Sequence, residues 1–274
     1  MTTCLETTFA GSEGAVFYRR WIPEGGLQRI VMIVHGYAEH GGRYGPVAEA
    51  LANDGAAVYA PDHLGHGRSD GERALIVDFE NVVSDLERVA DIASSDHSGV
   101  PLVLMGHSMG GLLTARVIQR TRDRPGSIPI AGAVFLGAVL GDWEWAREVV
   151  ANDTIPDIAS DPNGMSRDPE TNRQYAQDPL IYHGSYKKPL LVSELATLDR
   201  FNAEIGYITV PVLFLHGTED PFVPYQASLD AVERMASSDK TVKLYHGARH
   251  ELVNETNRAE VLTDLAAFAA RVAP

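Results

Sequence analysis

The sequence predicts an α/β fold in which a mostly parallel sheet is covered by helices on both faces. Short apolar runs rich in Val, Ile, Leu and Phe recur along the 274 residues and are typical of strands. Segments with helical periodicity lie between these runs, and strands that alternate with helices favour parallel βαβ connections. The central runs are almost wholly apolar, which is typical of strands that are buried on both faces.

Seven segments are predicted to form strands. The first, AVFYRRWI, alternates between apolar and polar residues more than the others, and so favours an antiparallel strand at the sheet edge. The five central strands are predicted over IVMIVHG, AAVYAP, PLVLMG, IAGAVFLGAVLG and VPVLFLHG. The last strand is predicted over TVKLYHG.

Helices are predicted between the strands from stripes of apolar residues that share one helix face. In the segment DFENVVSDLERVADIASS the stripe consists of Val82, Leu86, Val89 and Ala93. Near the C-terminus it consists of Val261, Leu265, Phe268 and Val272. A further helix is predicted over LLTARVIQR, directly after the strand PLVLMG.

One segment, residues 141–206, interrupts the alternation of strands and helices. It is rich in scattered Pro, Asp and Asn and contains no strong strand. We predict an inserted, mainly helical cap over 141–206 on a core formed by residues 1–140 and 207–274. A segment of this length within a compact domain is usually functional, and an irregular surface excursion is the alternative.

Composition excludes several classes of protein. Hydrophobic residues make up 45% and charged residues 22%, as in ordinary globular proteins, and the formal net charge is −14. This charge argues against nucleic-acid partners and against electrostatic docking on anionic lipid. No apolar run approaches the length of a transmembrane segment, and the N-terminus lacks the pattern of a signal peptide. With Cys4 as the single cysteine, these features predict a cytoplasmic protein without a disulfide framework.

The stretch GHSMGG places Ser108 between two glycines at the end of a predicted strand and before a predicted helix. Strand, Gly-x-Ser-x-Gly and helix together are the context of a nucleophile elbow. The turn is so sharp that Gly106 and Gly110 are needed to give room. A phosphate-binding loop is the alternative, but no Gly-Lys-Ser/Thr follows. Ser108 is therefore the predicted nucleophile.

A nucleophilic serine needs a base and an orienting carboxylate, in the chain order Ser, Asp or Glu, His. The segment VLFLHGTEDPFVP supplies Glu219 and Asp220 after a predicted strand. Pro221 fixes the loop and favours Asp220, which leaves Glu219 as a solvated neighbour. The last strand is followed by His246 and His250. His250 lies further out, where a loop reaches over the serine, and we expect His246 to be a structural histidine.

Six motifs, in order along nearly the whole chain, resemble the monoacylglycerol lipase group of the α/β-hydrolase superfamily: HGYAEHGGRY, PDHLGHGRSDG, GHSMGG, DPLIYHG, HGTEDPFVP and ARHEL. The resemblance implies the α/β-hydrolase fold, with Ser108 as nucleophile, Asp220 as orienting acid and His250 as general base. It also implies an oxyanion hole formed by the backbone N–H groups of Tyr37 and Met109.

The resemblance places Glu39 and Arg43 near the polar end of the pocket, where the alcohol portion of a monoacylglycerol sits. A salt-linked structural loop is the alternative for this pair. Ala38 departs from the second glycine that the family often has in the oxyanion loop. Val253 departs from a second histidine that some members have beside the alcohol site, and the insertion is short for the group. These departures bear on the substrate more than on the reaction.

Four further residues have two interpretations each. His63 and His66 are spaced as metal ligands can be, but no further ligand cluster completes a site, which favours a hydrogen-bonded loop. The sequence therefore predicts no metal and no cofactor. Trp143 and Trp145 line a lipid entrance or anchor a cap helix onto the core, and transient contact of the cap with a lipid surface stays open.

The sequence thus predicts a serine carboxylester hydrolase that acts through an acyl-enzyme on monoacylglycerols or similar small hydrophobic esters. An esterase or thioesterase for non-glyceride esters, including synthetic ones, is the alternative within enzymes. A non-catalytic ligand receptor of the same fold is the alternative from another class. The residues available to line an acyl pocket are Trp143, Trp145, Ile155, Ile158, Leu190, Leu191 and Leu195.

Overall fold

The computed structural model describes residues 2–124, 126, 129–157 and 159–274. In this part of the chain eight strands form one sheet: β1 (Thr3–Ala10), β2 (Ala15–Ile22), β3 (Arg29–Val34), β4 (Ala56–Pro61), β5 (Leu102–His107), β6 (Ile130–Leu136), β7 (Val212–Gly217) and β8 (Lys240–Tyr245). The helices are α1 (Gly45–Asn53), α2 (Phe79–Asp96), α3 (Met109–Thr121), α4 (Glu144–Ala151), α5 (Pro169–Gln177), α6 (Lys188–Ala203), α7 (Tyr225–Arg234) and α8 (Arg258–Val272).

The strand order is β1-β2-β4-β3-β5-β6-β7-β8, and the six strands from β4 to β8 in this order run parallel. β1 and β2 are antiparallel to their neighbours. The carboxyl ends of the parallel strands therefore meet at one edge, where loops line a crevice. All seven predicted strands are present, and the mostly parallel α/β sheet is confirmed.

Two details of the strand prediction are wrong. β1 was not predicted, and because it forms the edge of the sheet, β2 is antiparallel but is not the edge strand. Nearly all residues of β1 are exposed, so no buried face imposes a readable alternation on them. The strand predicted over IAGAVFLGAVLG ends at Leu136, because Gly137 turns the chain with a φ of 49°.

Successive residues of the central strands pack on opposite faces of the sheet, which creates two apolar cores. Ile30 and Met32 face the core that includes α2, α3 and α6, whereas Val31 and Ile33 face the core that includes α1 and α8. The predicted stripe of α2 is buried throughout, as are the first three residues of the stripe on α8. The sheet and its helices thus form a rigid support for the loops at the strand ends.

The segment between β6 and β7 contains α4, α5 and α6 in its described part. Its longest helix, α6, places Leu190, Leu191 and Leu198 in the same core as α2 and α3. This segment therefore packs on the sheet domain through a shared apolar core. Within the described residues, no helix has the length and apolar character needed to cross a membrane.

Candidate active site

Ser108 lies on a strained turn between β5 and α3. Its backbone has φ 54° and ψ −125°, which non-glycine residues rarely adopt and which costs about 1–3 kcal/mol. Two hydrogen bonds hold this conformation: Ser108 N–H donates to Leu136 O at 3.0 Å, and Val139 N–H donates to Ser108 O at 3.1 Å. Ser108 is only 8% exposed, and residues of the inserted segment, among them Trp143 and Tyr186, line the same cavity.

The two flanking glycines are required by close backbone contacts. A Cβ at Gly106 would lie 2.4 Å from both Gly110 O and Thr114 Oγ1. A Cβ at Gly110 would lie 2.1 Å from Val34 O on the neighbouring strand β3. Real side chains do not tolerate such distances, so the predicted reason for glycine at both positions is confirmed.

Asp220 and His250 meet across the loops that follow β7 and β8. Asp220 Oδ2 lies 2.6 Å from His250 Nδ1, and Asp220 Oδ1 accepts from the N–H groups of Phe222 and Val223 at 2.9 and 3.0 Å. Burial opposes ionisation of Asp220, but the charge and the hydrogen bond of His250 and the hydrogen bond from His216 outweigh it. The pKa of Asp220 therefore lies well below its ordinary value.

Glu219, beside Asp220, is exposed to solvent, as the sequence predicted. His246 is also exposed, so the prediction of a structural histidine at this position is wrong. The reason is that β8 is the last strand of the sheet, and most of its residues face solvent.

His216, at the end of β7, is a buried residue of the site that sequence reasoning missed. Its Nε2 lies 3.2 Å from Asp220 Oδ2 and 2.8 Å from Val223 O, and both are acceptors. The N–H of His216 is thus shared between the backbone carbonyl and the same carboxylate oxygen that contacts His250. The sequence signal that could have indicated this contact is the place of His216 at the carboxyl end of β7, four residues before Asp220.

His250 is packed between two rings. The His107 ring centroid lies 4.6 Å away, and the Phe222 ring contacts His250 edge-on at 5.3 Å. His107 Nε2 also lies 3.3 Å from the backbone carbonyl of His250. These contacts fix the imidazole. Ser108 and His250 line the same cavity.

Tyr37 and Met109 line the same cavity. Met109 is the first residue of α3, where backbone N–H groups have no partner within the helix. Tyr37 follows Gly36, and a Cβ on Gly36 would lie 3.0 Å from Ser108 Cβ, so this loop closely approaches the serine. Ala38 has a φ of 66°, a conformation that favours the glycine often found there in the family.

Glu39 is buried and has a partner at each carboxylate oxygen. Oε1 accepts from Gly36 N–H at 2.7 Å and Tyr44 Oη at 2.8 Å, and it lies 2.9 Å from His107 Nδ1. Oε2 accepts from Arg43 Nη1 at 3.0 Å. Burial opposes ionisation, but the hydrogen bond and charge of His107 and the charge of Arg43 outweigh it. The pKa of Glu39 therefore lies well below its ordinary value.

Arg43 joins this cluster to Glu251 through its two terminal nitrogens. Burial lowers the pKa of His107, but the hydrogen bond and charge of Glu39 outweigh it and raise that pKa above its ordinary value. The carboxylates of Glu39 and Glu251 thus surround the Arg43 guanidinium, and Glu39 also contacts the His107 imidazole. Glu39 and Glu251 line the cavity, whereas Arg43 is not among the described residues that do. The salt-linked structural loop, one of the two interpretations of Glu39 and Arg43, describes these contacts.

Of the two tryptophans of the inserted segment, one is buried and the other is exposed. Trp143 is 7% exposed and lines the cavity, whereas Trp145 is 38% exposed and packs against Trp143 and Tyr186. Among the other residues predicted to line an acyl pocket, Leu190, Leu191 and Leu195 lie in the apolar core, and Ile155 packs against it. Ile158 lies outside the described residues, and Val253 is buried in the core that includes α8.

His63 and His66 are buried in a hydrogen-bonded loop. His63 Nε2 lies 2.9 Å from His35 O, and His66 Nδ1 lies 3.0 Å from Leu64 O. Burial lowers the pKa of His63 to about 3 and that of His66 to about 4, so both rings are neutral. No cluster of three or more metal-ligating side chains is found in the part of the chain that the structure describes.

Comparison with known proteins identifies the family. The model of the serine aminopeptidase S33 family matches residues 26–257. The chain is 33% identical to a monoacylglycerol lipase of Mycolicibacterium smegmatis over 272 residues, 97% of each chain. It is 34% identical to a Homo sapiens monoglyceride lipase over 250 residues, which are 88% of this chain and 81% of that one.

Solved structures agree. The crystal structure of a Paleococcus ferrophilus monoacylglycerol lipase superposes with a TM-score of 0.77 at 27% identity, covering 98% of this chain and 99% of that chain. The family resemblance and the α/β-hydrolase fold predicted from the sequence are both confirmed. The chain therefore belongs to the serine aminopeptidase S33 family and, within the α/β-hydrolases, to the monoacylglycerol lipase-like group of serine hydrolases.

Proposed function

We propose that this protein hydrolyses monoacylglycerols or similar small hydrophobic esters through a covalent acyl-enzyme, with Ser108, His250 and Asp220 as its catalytic triad. The observation that carries the proposal is the 2.6 Å contact between Asp220 Oδ2 and His250 Nδ1 in the loops beside the strained Ser108 turn. This contact leaves His250 Nε2 free to act as a base toward a serine that lines the same cavity.

In the acylation step, Ser108 Oγ attacks the ester carbonyl carbon while His250 takes the serine proton. The tetrahedral intermediate then collapses, and the alcohol leaves with the proton returned by His250. In the deacylation step, water attacks the acyl-enzyme carbonyl and His250 takes the water proton. Release of the acid returns that proton to Ser108. Asp220 holds the imidazole in the tautomer that each step requires and stabilises its charged form.

The oxyanion of both intermediates is proposed to accept hydrogen bonds from the backbone N–H groups of Tyr37 and Met109. The place of Met109 at the start of α3 supports this role, because a helix N-terminus favours negative charge. The approach of the Gly36 backbone to Ser108 supports the same role for Tyr37. Loss of one such donor typically costs about 10²–10³ in kcat.

We propose that residues 141–206 act as a cap that covers the serine and selects the substrate. Trp143, Tyr175 and Tyr186 from this segment line the cavity, and the backbone of Tyr182 donates to Ala38 O at 2.9 Å. The cap is thereby joined to the loop that carries the proposed oxyanion donor. The exposed ring of Trp145 is the feature that favours transient contact with a lipid surface.

The proposal is tested with purified protein and two sets of substrates. The first is a series of para-nitrophenyl esters of increasing acyl length, and the second pairs monoacylglycerols with triacylglycerols of equal chain length. We expect kcat/KM to rise with acyl length by at most about fourfold per methylene, because each buried methylene contributes about 0.8 kcal/mol. We also expect monoacylglycerols to be preferred, because the cavity is small and covered.

A flat series with equal hydrolysis of triacylglycerols would leave a general esterase and remove the monoacylglycerol assignment. Absence of hydrolysis throughout, with Ser108 inert to acylating reagents, would instead support a ligand receptor.

A further inference from the structure

Three residues of the cavity wall carry buried polar atoms that have no hydrogen-bond partner within the described chain. They are the Tyr37 hydroxyl, the Trp143 indole N–H and both carboxylate oxygens of Glu194. Glu194 is 1% exposed and lies on α6, within the inserted segment. A buried polar group without a partner destabilises the fold, so three such groups on one wall are unusual for a purely structural surface.

The three groups belong to one region of the cavity, centred on Tyr186. The Tyr37 ring stacks on Tyr186 with centroids 4.4 Å apart, and the Trp143 ring contacts Tyr186 edge-on at 6.4 Å. The pKa values of Tyr37 and Tyr186 are both raised. Burial is the main cause, and the charge of Glu194 is a further cause for both residues. We refer to Tyr37, Trp143 and Glu194 as the polar subsite.

We propose that the polar subsite binds a hydroxyl group carried by the ester substrate at a distance from its reacting carbonyl. This inference rests on the proposed function and extends it, because it makes hydroxylated esters preferred over otherwise identical unsubstituted esters. Glu194 is the specificity-determining residue, because both of its carboxyl oxygens are available for hydrogen bonds to the substrate. It also comes from the inserted segment rather than from the sheet.

The chemistry of the three groups matches a hydroxyl better than a charged group. The indole N–H only donates, whereas a tyrosine hydroxyl and a protonated carboxyl both donate and accept. Burial alone raises the pKa of Glu194 to about 8, so the carboxyl is mostly protonated at neutral pH. An alkylammonium group offers donors alone and leaves the indole N–H unpaired. A hydroxyl both accepts from the indole and donates to the carboxyl.

The hydroxyl has two sources, the acyl chain or the alcohol, and the experiment separates them. The acyl arm compares para-nitrophenyl decanoate with its monohydroxylated positional isomers. The alcohol arm compares the decanoic monoester of glycerol with propyl decanoate. In each arm the quantity measured is the ratio of kcat/KM for the hydroxylated ester to that for the unsubstituted ester, in wild type, Glu194→Leu and Glu194→Gln.

We expect at least one hydroxylated ester to be preferred by wild type and this ratio to fall about tenfold in Glu194→Leu, the worth of one hydrogen bond. Glu194→Gln keeps a donor and an acceptor and should retain most of the preference. The arm in which the ratio falls identifies the source of the hydroxyl. Equal ratios in all three proteins, in both arms, would overturn the proposal.

A binding measurement separates this inference from the proposed function. Calorimetry on Ser108→Ala with the intact esters measures discrimination without turnover, and the double variant Ser108→Ala, Glu194→Leu, in which the discrimination should be lost, supplies the matched control. We expect Ser108→Ala to bind the preferred hydroxylated ester about tenfold more tightly than the unsubstituted ester. Equal affinity for the two esters would overturn the polar subsite, even if wild type hydrolyses both. Absence of hydrolysis by wild type contradicts the proposed function and leaves this binding result decisive.

Discussion

Glu39 and Glu194 are glutamates buried in the wall of one cavity, yet their surroundings are opposite. Glu39 comes from the loop after β3 and has a partner at each oxygen, among them the cationic Arg43. Glu194 comes from α6 and has no partner in the described chain. Accordingly the pKa of Glu39 lies well below its ordinary value, whereas that of Glu194 is raised to about 8.

The difference teaches that burial alone does not determine what a polar side chain contributes. At the Glu39 end, the chain supplies its own hydrogen bonds and charges, so these groups hold the loop and, through His107, the backbone carbonyl of His250. At the Glu194 end, the capacity for hydrogen bonding is left for a ligand. One end of the cavity is therefore built for rigidity and the other for recognition.

The largest effect is expected at the carboxylate of Asp220, which like Glu39 has partners at both oxygens. Asp220→Asn should lower kcat by about 10⁴, because an amide favours the wrong tautomer of His250. The adjacent, exposed Glu219 supplies the control, and Glu219→Gln should leave kcat nearly unchanged. Steady-state kinetics on a para-nitrophenyl ester decides. A loss of this size in Glu219→Gln, with kcat of Asp220→Asn nearly unchanged, would assign the acid to Glu219.

The two glutamates can be compared directly through the free energy of unfolding. Glu39→Gln should destabilise the fold by about 3–5 kcal/mol, because it removes the anion beside the buried His107 and leaves the buried Arg43 with Glu251 as its remaining anionic partner. Glu194→Gln should change stability by less than about 1 kcal/mol near pH 5, since no hydrogen bond within the described chain is lost. Urea unfolding measures the free energy of unfolding of both variants. Equal losses of stability would contradict the contrast between Glu39 and Glu194.

The pH dependence of stability should also differ in direction between the two variants. The folded Glu194 keeps its proton up to a pKa of about 8, whereas the unfolded chain loses it near 4.5, so wild type loses stability as pH rises between these values. The advantage of Glu194→Gln over wild type should grow across that window by at most about 1.4 kcal/mol per pH unit.

Glu39 has the reverse sign, because its folded pKa is lowered. Its contribution is present above the ordinary value of 4.5 and is lost as pH falls toward the folded pKa. The advantage of wild type over Glu39→Gln should therefore shrink in acid. The free energy of unfolding of wild type and both variants is measured at a series of pH values. If the difference from wild type changed with pH in the same direction for both variants, the surroundings assigned to Glu39 and Glu194 would be contradicted.

The contrast between the two ends also marks what the sequence could predict. Ser108 and its glycines were recognised because their spacing is local, although the contact that excludes a Cβ at Gly110 comes from Val34 on the neighbouring strand β3. Asp220 and His250 follow from their places after strands. Glu194 was missed because its role depends on its having no hydrogen-bond partner in the described chain. Only the tertiary structure shows this, and hydrophobic periodicity does not.

The errors have a related cause. β1 was missed and His246 was expected to be a structural histidine, although both lie near edges of the sheet and face solvent. Local sequence pattern reports burial well in the central strands, where both faces are covered. It reports burial poorly at the edges, where a strand is held by backbone pairing alone.

The central claim is that Ser108 is the nucleophile of an acyl-enzyme, and covalent labelling tests it most directly. The protein is treated with a fluorophosphonate, which loses fluoride to an activated serine, and is analysed by intact mass and by peptide mapping. The account predicts one adduct per chain, on the peptide that contains Ser108, with no adduct in Ser108→Ala and slowed labelling in Asp220→Asn. An unlabelled wild type, or an adduct elsewhere that persists in Ser108→Ala, would contradict it.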